Sequence, residues 1–405
     1  MTSGNLLVAQ GGGPTAVFNF SLLGVVEEAK RLKSQGIGKI IGALRSIDGL
    51  LDEDLIDLGK ESQSNLRQVA MNPGAALGSC RRRMAEEDYG QILEVFRKYD
   101  VRYFFYIGGN GSMYTVHKVD QLARSVGYVL NAVGIPKTID NDLAFTDHCP
   151  GFGSAARYFA SVTREIGLDV ASLPPPVSVI ETLGRNTGWL AASASLANDG
   201  EGDAPNLIYF PERVFSLSRF LSDVSDVYDK WGRAVIVVSE GLKDKTGQYL
   251  GGVNAKASKD GFGRNLPGGA SSYLAAKIAE KLKLRARSEK PGLAARTGVE
   301  YVSSVDRKEA YLVGQSAVRA AVNGKSGVMM TLERAAGNRY HCSIGEAPLE
   351  KVAKAEKLLP ASFINKKGNY VTEAFLRYCR PILGDTIRKF PDLSKHLLTF
   401  AARGK

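Results

Sequence analysis

Within six positions, Lys137-Thr138-Ile139-Asp140-Asn141-Asp142 sets one ammonium beside two carboxylates. A lysine can neutralise a phosphoryl group in transit, while one aspartate accepts the proton of an attacking hydroxyl and the other holds a divalent cation. This is equipment for phosphoryl transfer, with Mg²⁺ as the implied cofactor. Asp140, the nearer of the two to Lys137, is the candidate base. Upstream stands Gly108-Gly109-Asn110-Gly111-Ser112, where glycines let the backbone approach phosphate oxygens and a helix start offers N–H groups to an anion. Two more turns have this composition: Gln10-Gly11-Gly12-Gly13-Pro14-Thr15, and Leu183-Gly184-Arg185-Asn186-Thr187-Gly188-Trp189. In the latter, Arg185 is the candidate cation for charge that develops during transfer.

These groups work only if strands deliver them to one crevice. The apolar run 101–107 reads as a strand buried on both faces and ending at GGNGS, and a second strand over about 128–135 ends at the Lys137 loop. In open α/β sheets, ligands sit outside the carboxyl ends of such strands. A strand at 5–9 leads into the first glycine turn, and helical spacing follows over 17–32, with Pro14 near the helix start. The strand at 39–44 is followed by Arg45-Ser46 instead of an acid that would hold a ribose, which argues against a dinucleotide. Further helices are expected at 86–98, 155–166, 274–284 and 302–323, and strands at 177–182, 206–211 and 233–240. Glu240, at a strand end, is placed to accept hydrogen bonds from sugar hydroxyls. A hairpin is expected over 327–332 and 339–344, a connector at 173–176, a lid or excursion at 242–270, and helical signal at 349–358 and 371–379. The pattern predicts an α/β chain with doubly wound, Rossmann-like, mostly parallel sheets. At 405 residues it predicts two lobes.

The net charge of +11 is spread along the sequence, and Arg81-Arg82-Arg83-Met84 is its one dense cluster, so we expect anionic small molecules rather than nucleic acid as partners. Without an apolar run of 18 residues or a leader-like start, no membrane span or export is expected, and a cytoplasmic location is. Cys80, Cys149, Cys342 and Cys379 form no CxxC pair, and no zinc is assigned.

GGGPTAVFN, GGNGS, PKTIDND and IETLGRNTGW together resemble the phosphofructokinase A family over roughly residues 5–345, in particular the branch with pyrophosphate-dependent members. The resemblance implies a donor-phosphate lobe (1–150 with about 300–345), a sugar-phosphate lobe (about 151–299) and a helical extension (346–405) packed on them. It assigns Gly12, Gly13, Arg81, Gly108, Gly109, Gly111 and Ser112 to donor phosphates. Thr138, Asp140, Asp142, Leu183, Gly184, Arg185, Glu240, Arg287 and Arg296 are assigned to the acceptor. Asn110 and Asp142 are assigned to the metal, although Asn110 replaces the aspartate usual in the family, so that Asp140 and Asp142 would bear more of that duty; Lys137, Asp140 and Arg185 are assigned to catalysis. Arg287 and Arg296 would hold a 6-phosphate, partly across a subunit boundary, so a homodimer or homotetramer is expected.

Departures from the family pattern bear on both substrates. Pyrophosphate-using relatives usually carry an aspartate where this chain has Gly111; without that charge the α-phosphate of a nucleotide is not repelled, which tips the expected donor to ATP, with pyrophosphate as the alternative. Pro176 stands where relatives commonly place a phosphate-binding arginine, and Ala295 where a glutamine often precedes the second arginine. The expected acceptor is fructose 6-phosphate, with a ketose bearing another 6-anion, such as 6-deoxy-6-sulfofructose, as alternative. A phosphosugar sensor without turnover is the non-enzymatic alternative; the full set of Lys137, Asp140, Asp142 and Arg185 favours chemistry.

Overall fold

The computed structural model describes residues 3–173, 176–252, 269–337, 339–391 and 393. Most of the expected excursion at 242–270 and half of the proline connector therefore lie outside the described residues.

Strands that are apolar on both faces must be covered twice, and here helices do so. Five come first in the chain: β1 (Gly4–Gln10), β2 (Ile37–Ala43), β3 (Leu55–Asp57), β4 (Val101–Gly108) and β5 (Asn131–Pro136). The chain then builds a second sheet from β6 (Val177–Thr182), β7 (Leu207–Tyr209), β8 (Ala234–Ser239) and β9 (Ala286–Glu289). It returns to the first with β10 (Val328–Arg334) and β11 (Cys342–Pro348). The larger sheet runs β11-β10-β5-β4-β1-β2-β3 and the smaller β7-β8-β6-β9. The smaller is parallel throughout, and the larger is parallel except at its two edges, where β3 and β11 pair antiparallel. The expected two-lobed, mostly parallel α/β architecture is present.

β4 lies at the centre of the larger sheet, with every residue buried except the partly exposed Arg102. The helix Glu86–Lys98 feeds it, with Glu86, Glu87 and Asp88 in its first turn and Arg97 and Lys98 in its last, each sign matched to the helix dipole. Phe96 from that helix meets Phe104 of β4 at 5.1 Å between ring centroids, anchoring the strand that carries the glycine turn. β5 starts later than the apolar pattern suggests, because Tyr128 turns its hydroxyl onto the carbonyls of Phe96 and Val101. The hairpin β10–β11 is as expected. The helical signal at 349–358 shrinks to Leu349–Val352, since the residues beyond it find partners in the cleft. Among the described residues, no helix is long and apolar enough to cross a membrane.

Candidate active site

The carboxyl ends of β1, β4 and β5 face those of β6 and β8 across a cavity of about 920 Å³, lined from both lobes. Lys137 sits at its floor, only 2% exposed. Its ammonium donates to the Gly13 carbonyl at 2.5 Å and lies 4.6 Å from the Phe18 ring centroid. Its backbone N–H donates to the Gly108 carbonyl at 3.0 Å, so one residue joins two glycine turns. Gly12 adopts φ 78°, a conformation that side chains disfavour. Burial pushes Lys137 down to about 7, assisted by Arg296 and resisted by Asp142 and Asp140. Two guanidiniums converge on the same turn. A Cβ on Gly13 would stand 3.5 Å from Arg81 Nη2 and 3.6 Å from Arg296 Cζ.

Asp140 is pushed up to about 7, first by burial, then by Asp142 and Glu240, against the pull of Arg296 and Lys137. That value suits a base working near neutrality. Its carbonyl accepts the Thr187 hydroxyl at 3.0 Å, which ties the first lobe's loop to the Arg185 turn of the second. Glu240 is raised by burial, and Arg185 and Arg296 draw it back. The Arg185 turn depends on two neighbours absent from the sequence reading. The Ser239 hydroxyl donates to the Gly184 carbonyl at 2.5 Å, and a Cβ on Gly241 would run into the Arg185 carbonyl.

Asn110 Nδ2 donates to Asp142 Oδ2 at 2.7 Å. The remaining side-chain oxygen of each, Asn110 Oδ1 and Asp142 Oδ1, is buried without a partner. Two orphaned hard oxygens on a hydrogen-bonded pair of residues fit a divalent cation of the Mg²⁺ type.

Gly12, Gly13, Arg81, Gly109, Asn110, Gly111, Ser112, Lys137, Thr138, Asp140, Asp142, Leu183, Gly184, Arg185, Glu240 and Arg296 thus share one cavity. The three remaining observations concern Gly108, Arg296 and Arg287. Gly108 is not among the lining residues, and a side chain there would collide with Ser112. Arg296 lines the cavity and stands over Gly13 beside Arg81. Arg287 is not in the cavity; its guanidinium is paired to Asp169 at 2.9 Å.

A family model described as phosphofructokinase matches residues 5–321. The chain belongs to the phosphofructokinase family. The crystal structure of a pyrophosphate-dependent phosphofructokinase from Nitrosospira multiformis superposes with a TM-score of 0.86 at 38% identity, covering 97% of this chain and 95% of that one. A pyrophosphate–fructose 6-phosphate 1-phosphotransferase of Xanthomonas campestris pv. campestris (strain B100) is 43% identical over 391 residues, 95% of this chain and 92% of its own. A sulfofructose kinase of Alkalicoccus urumqiensis is 34% identical over 366 residues, 90% of this chain and 92% of its own. This phosphofructokinase-family enzyme is a phosphotransferase.

Sequence reading missed one wall of the enzyme's cavity. Residues 353–356 line it, although they lie beyond the family-matched span. Ala353-Lys354-Ala355-Glu356 carries no motif that could have found them. Behind the site, buried His148 is held at both nitrogens, by Asp147 at 2.8 Å and Glu309 at 2.7 Å. Cys342 also offers an atom near this cluster. With Arg334 on Asp147 at 2.9 Å, the cluster is an ion-pair network joining β10, the 140–150 loop and the helix Ser304–Val322.

Proposed function

We propose that the enzyme transfers a phosphoryl group from pyrophosphate to the 1-hydroxyl of fructose 6-phosphate, as a homo-oligomer with Mg²⁺. The observation that carries this reading is the convergence of Lys137, Arg81 and Arg296 on the Gly12-Gly13 turn. Pyrophosphate packs its charge into a small volume without a nucleoside to add contacts, so three close cations suit it. The names of the relatives at about this level of identity, such as the Xanthomonas enzyme at 43%, support the same donor. The ATP expectation becomes the second reading. It rests on Gly111, where an added Cβ meets nothing within 4 Å. Space for an aspartate exists there and is left empty of charge.

In this reading, Asp140 takes the proton of the acceptor's primary hydroxyl. Its raised affinity for protons, set by burial and by Asp142 and Glu240, makes the transfer favourable near neutral pH. Lys137, Arg296 and Arg185 face the oxygens on which charge accumulates. Mg²⁺ held by Asp142 and Asn110 would neutralise donor charge. Glu240 accepts from sugar hydroxyls. With Arg287 bound to Asp169 and Pro176 and Ala295 in place, a 6-sulfonate is the alternative acceptor anion. The test is phosphorus NMR of the mixture after incubation with pyrophosphate and fructose 6-phosphate. Inorganic phosphate and a new phosphomonoester on carbon 1 support the reading; an unchanged spectrum refutes it.

A further inference from the structure

The segment after Val352 reaches both catalytic loops. The Lys357 backbone N–H donates to the Asp142 carbonyl at 2.8 Å, and the Lys357 carbonyl accepts the Trp189 indole N–H at 3.1 Å. Its ammonium donates to Asn141 Oδ1 at 3.1 Å, the Thr146 carbonyl at 3.1 Å and the Asp147 carbonyl at 2.8 Å. Three donors meet three acceptors, which completes the capacity of an ammonium without any carboxylate. Its neighbours reinforce the tie. Glu356 bridges Leu143 and accepts from Asn186 at 3.0 Å, and Glu212 Oε1 receives both the Leu359 and Gly188 N–H groups.

Asn141 explains why such a clamp matters. It stands between Asp140 and Asp142 at φ 54°, a left-handed conformation that non-glycine residues hold only when their surroundings enforce it. Here the enforcement is visible: Asn141 Oδ1 takes the Cys149 N–H at 3.0 Å as well as the Lys357 ammonium, and its amide reaches the Tyr378 hydroxyl at 3.3 Å. The backbone at Asn141 sets where the two flanking carboxylates point. On the other side, Trp189 begins the helix that follows the Arg185 turn.

We propose that Lys357 is a positioning residue for phosphoryl transfer. Its side chain holds the 141–147 loop, its main chain couples that loop to Trp189, and together they fix Asp140 and Arg185 relative to each other across the cleft. The proposal rests on the phosphotransferase reading of that cleft. It also gives the region beyond the family-matched residues 5–321 a function in the reaction.

Steady-state kinetics of the parent, Lys357→Met and Lys357→Arg, each with pyrophosphate and with ATP, test it. Misplaced catalytic groups cost turnover more than binding, so Lys357→Met should lower kcat by about tenfold or more and leave both KM values within about threefold. Lys357→Arg, which keeps a donating cation, should recover part of the loss. A folded Lys357→Met with kcat within about twofold of the parent, or a loss of kcat no larger than its loss of folded protein by circular dichroism, overturns the proposal. Should that variant not fold, Trp189→Phe removes only the indole tie; a several-fold fall in kcat supports the proposal and a normal kcat refutes it. A parent inactive with both donors sinks the phosphotransferase reading and this proposal with it. An active parent beside an unchanged Lys357→Met sinks this proposal alone.

Discussion

The Thr187 hydroxyl donates to the backbone carbonyl of Asp140 at 3.0 Å, so a residue of the second lobe holds the main chain of the base candidate in the first. Through this contact the proposed base and the turn of the proposed charge-stabilising cation are set in one frame, although Asp140 and Arg185 come from different sheets.

Asp140→Asn removes the proposed base while keeping shape and hydrogen-bonding size. Turnover should fall by about a hundredfold or more with melting temperature nearly unchanged, in line with general-base contributions. Near-parental kcat would move the role to Asp142 or to water.

Arg185→Ala should depress kcat on the order of a hundredfold, and more than it raises the donor KM, because its contact strengthens as charge develops. A change limited to the acceptor KM would make Arg185 a binding residue only.

Gly111→Asp has room for its side chain, since a Cβ there meets nothing within 4 Å. It should suppress any ATP use by about tenfold for each 1.4 kcal/mol of repulsion at the α-phosphate. Pyrophosphate use should change little. Equal losses with both donors would show that position 111 does not read the donor.

Stability should depend on pH through His148. Burial alone would lower its affinity for protons, but hydrogen bonds to Asp147 and Glu309 win and hold it above the ordinary 6.5. A raised folded-state value gives stability that is complete below 6.5 and is lost as pH rises through the folded value. His148→Gln should therefore lie furthest below the parent in melting temperature on the acid side of 6.5, and the gap should narrow as pH rises. A gap constant with pH would mean that folding does not shift the proton affinity of His148, and a gap that narrowed toward acid would mean that it is neutral in the folded protein.

Much of this was legible in the sequence because strand ends in α/β sheets announce themselves: apolar runs stop at glycines, and the turn residues follow. Lys137, Asp140 and Arg185 were read that way, and the cavity holds all three. What stayed hidden depends on packing between distant segments. The close approach of Ser112 to Gly108 and the room that Gly241 leaves for the Arg185 carbonyl are both packing facts that no local pattern announces. Arg287 and Arg296 were indistinguishable as arginines in one stretch; only the fold sends one to Asp169 and the other over Gly13. Lys357 sits in a segment whose helical periodicity is overridden by partners more than 160 residues away, which no local pattern encodes.

The central claim is that the Lys137 cluster serves pyrophosphate. Initial rates of the unmodified enzyme with fructose 6-phosphate and either pyrophosphate or ATP, at matched free Mg²⁺, test it most directly. The account predicts a kcat/KM for pyrophosphate that exceeds that for ATP, and a Lys137→Gly variant that loses pyrophosphate use more than any ATP use. Turnover with ATP and none with pyrophosphate would contradict it.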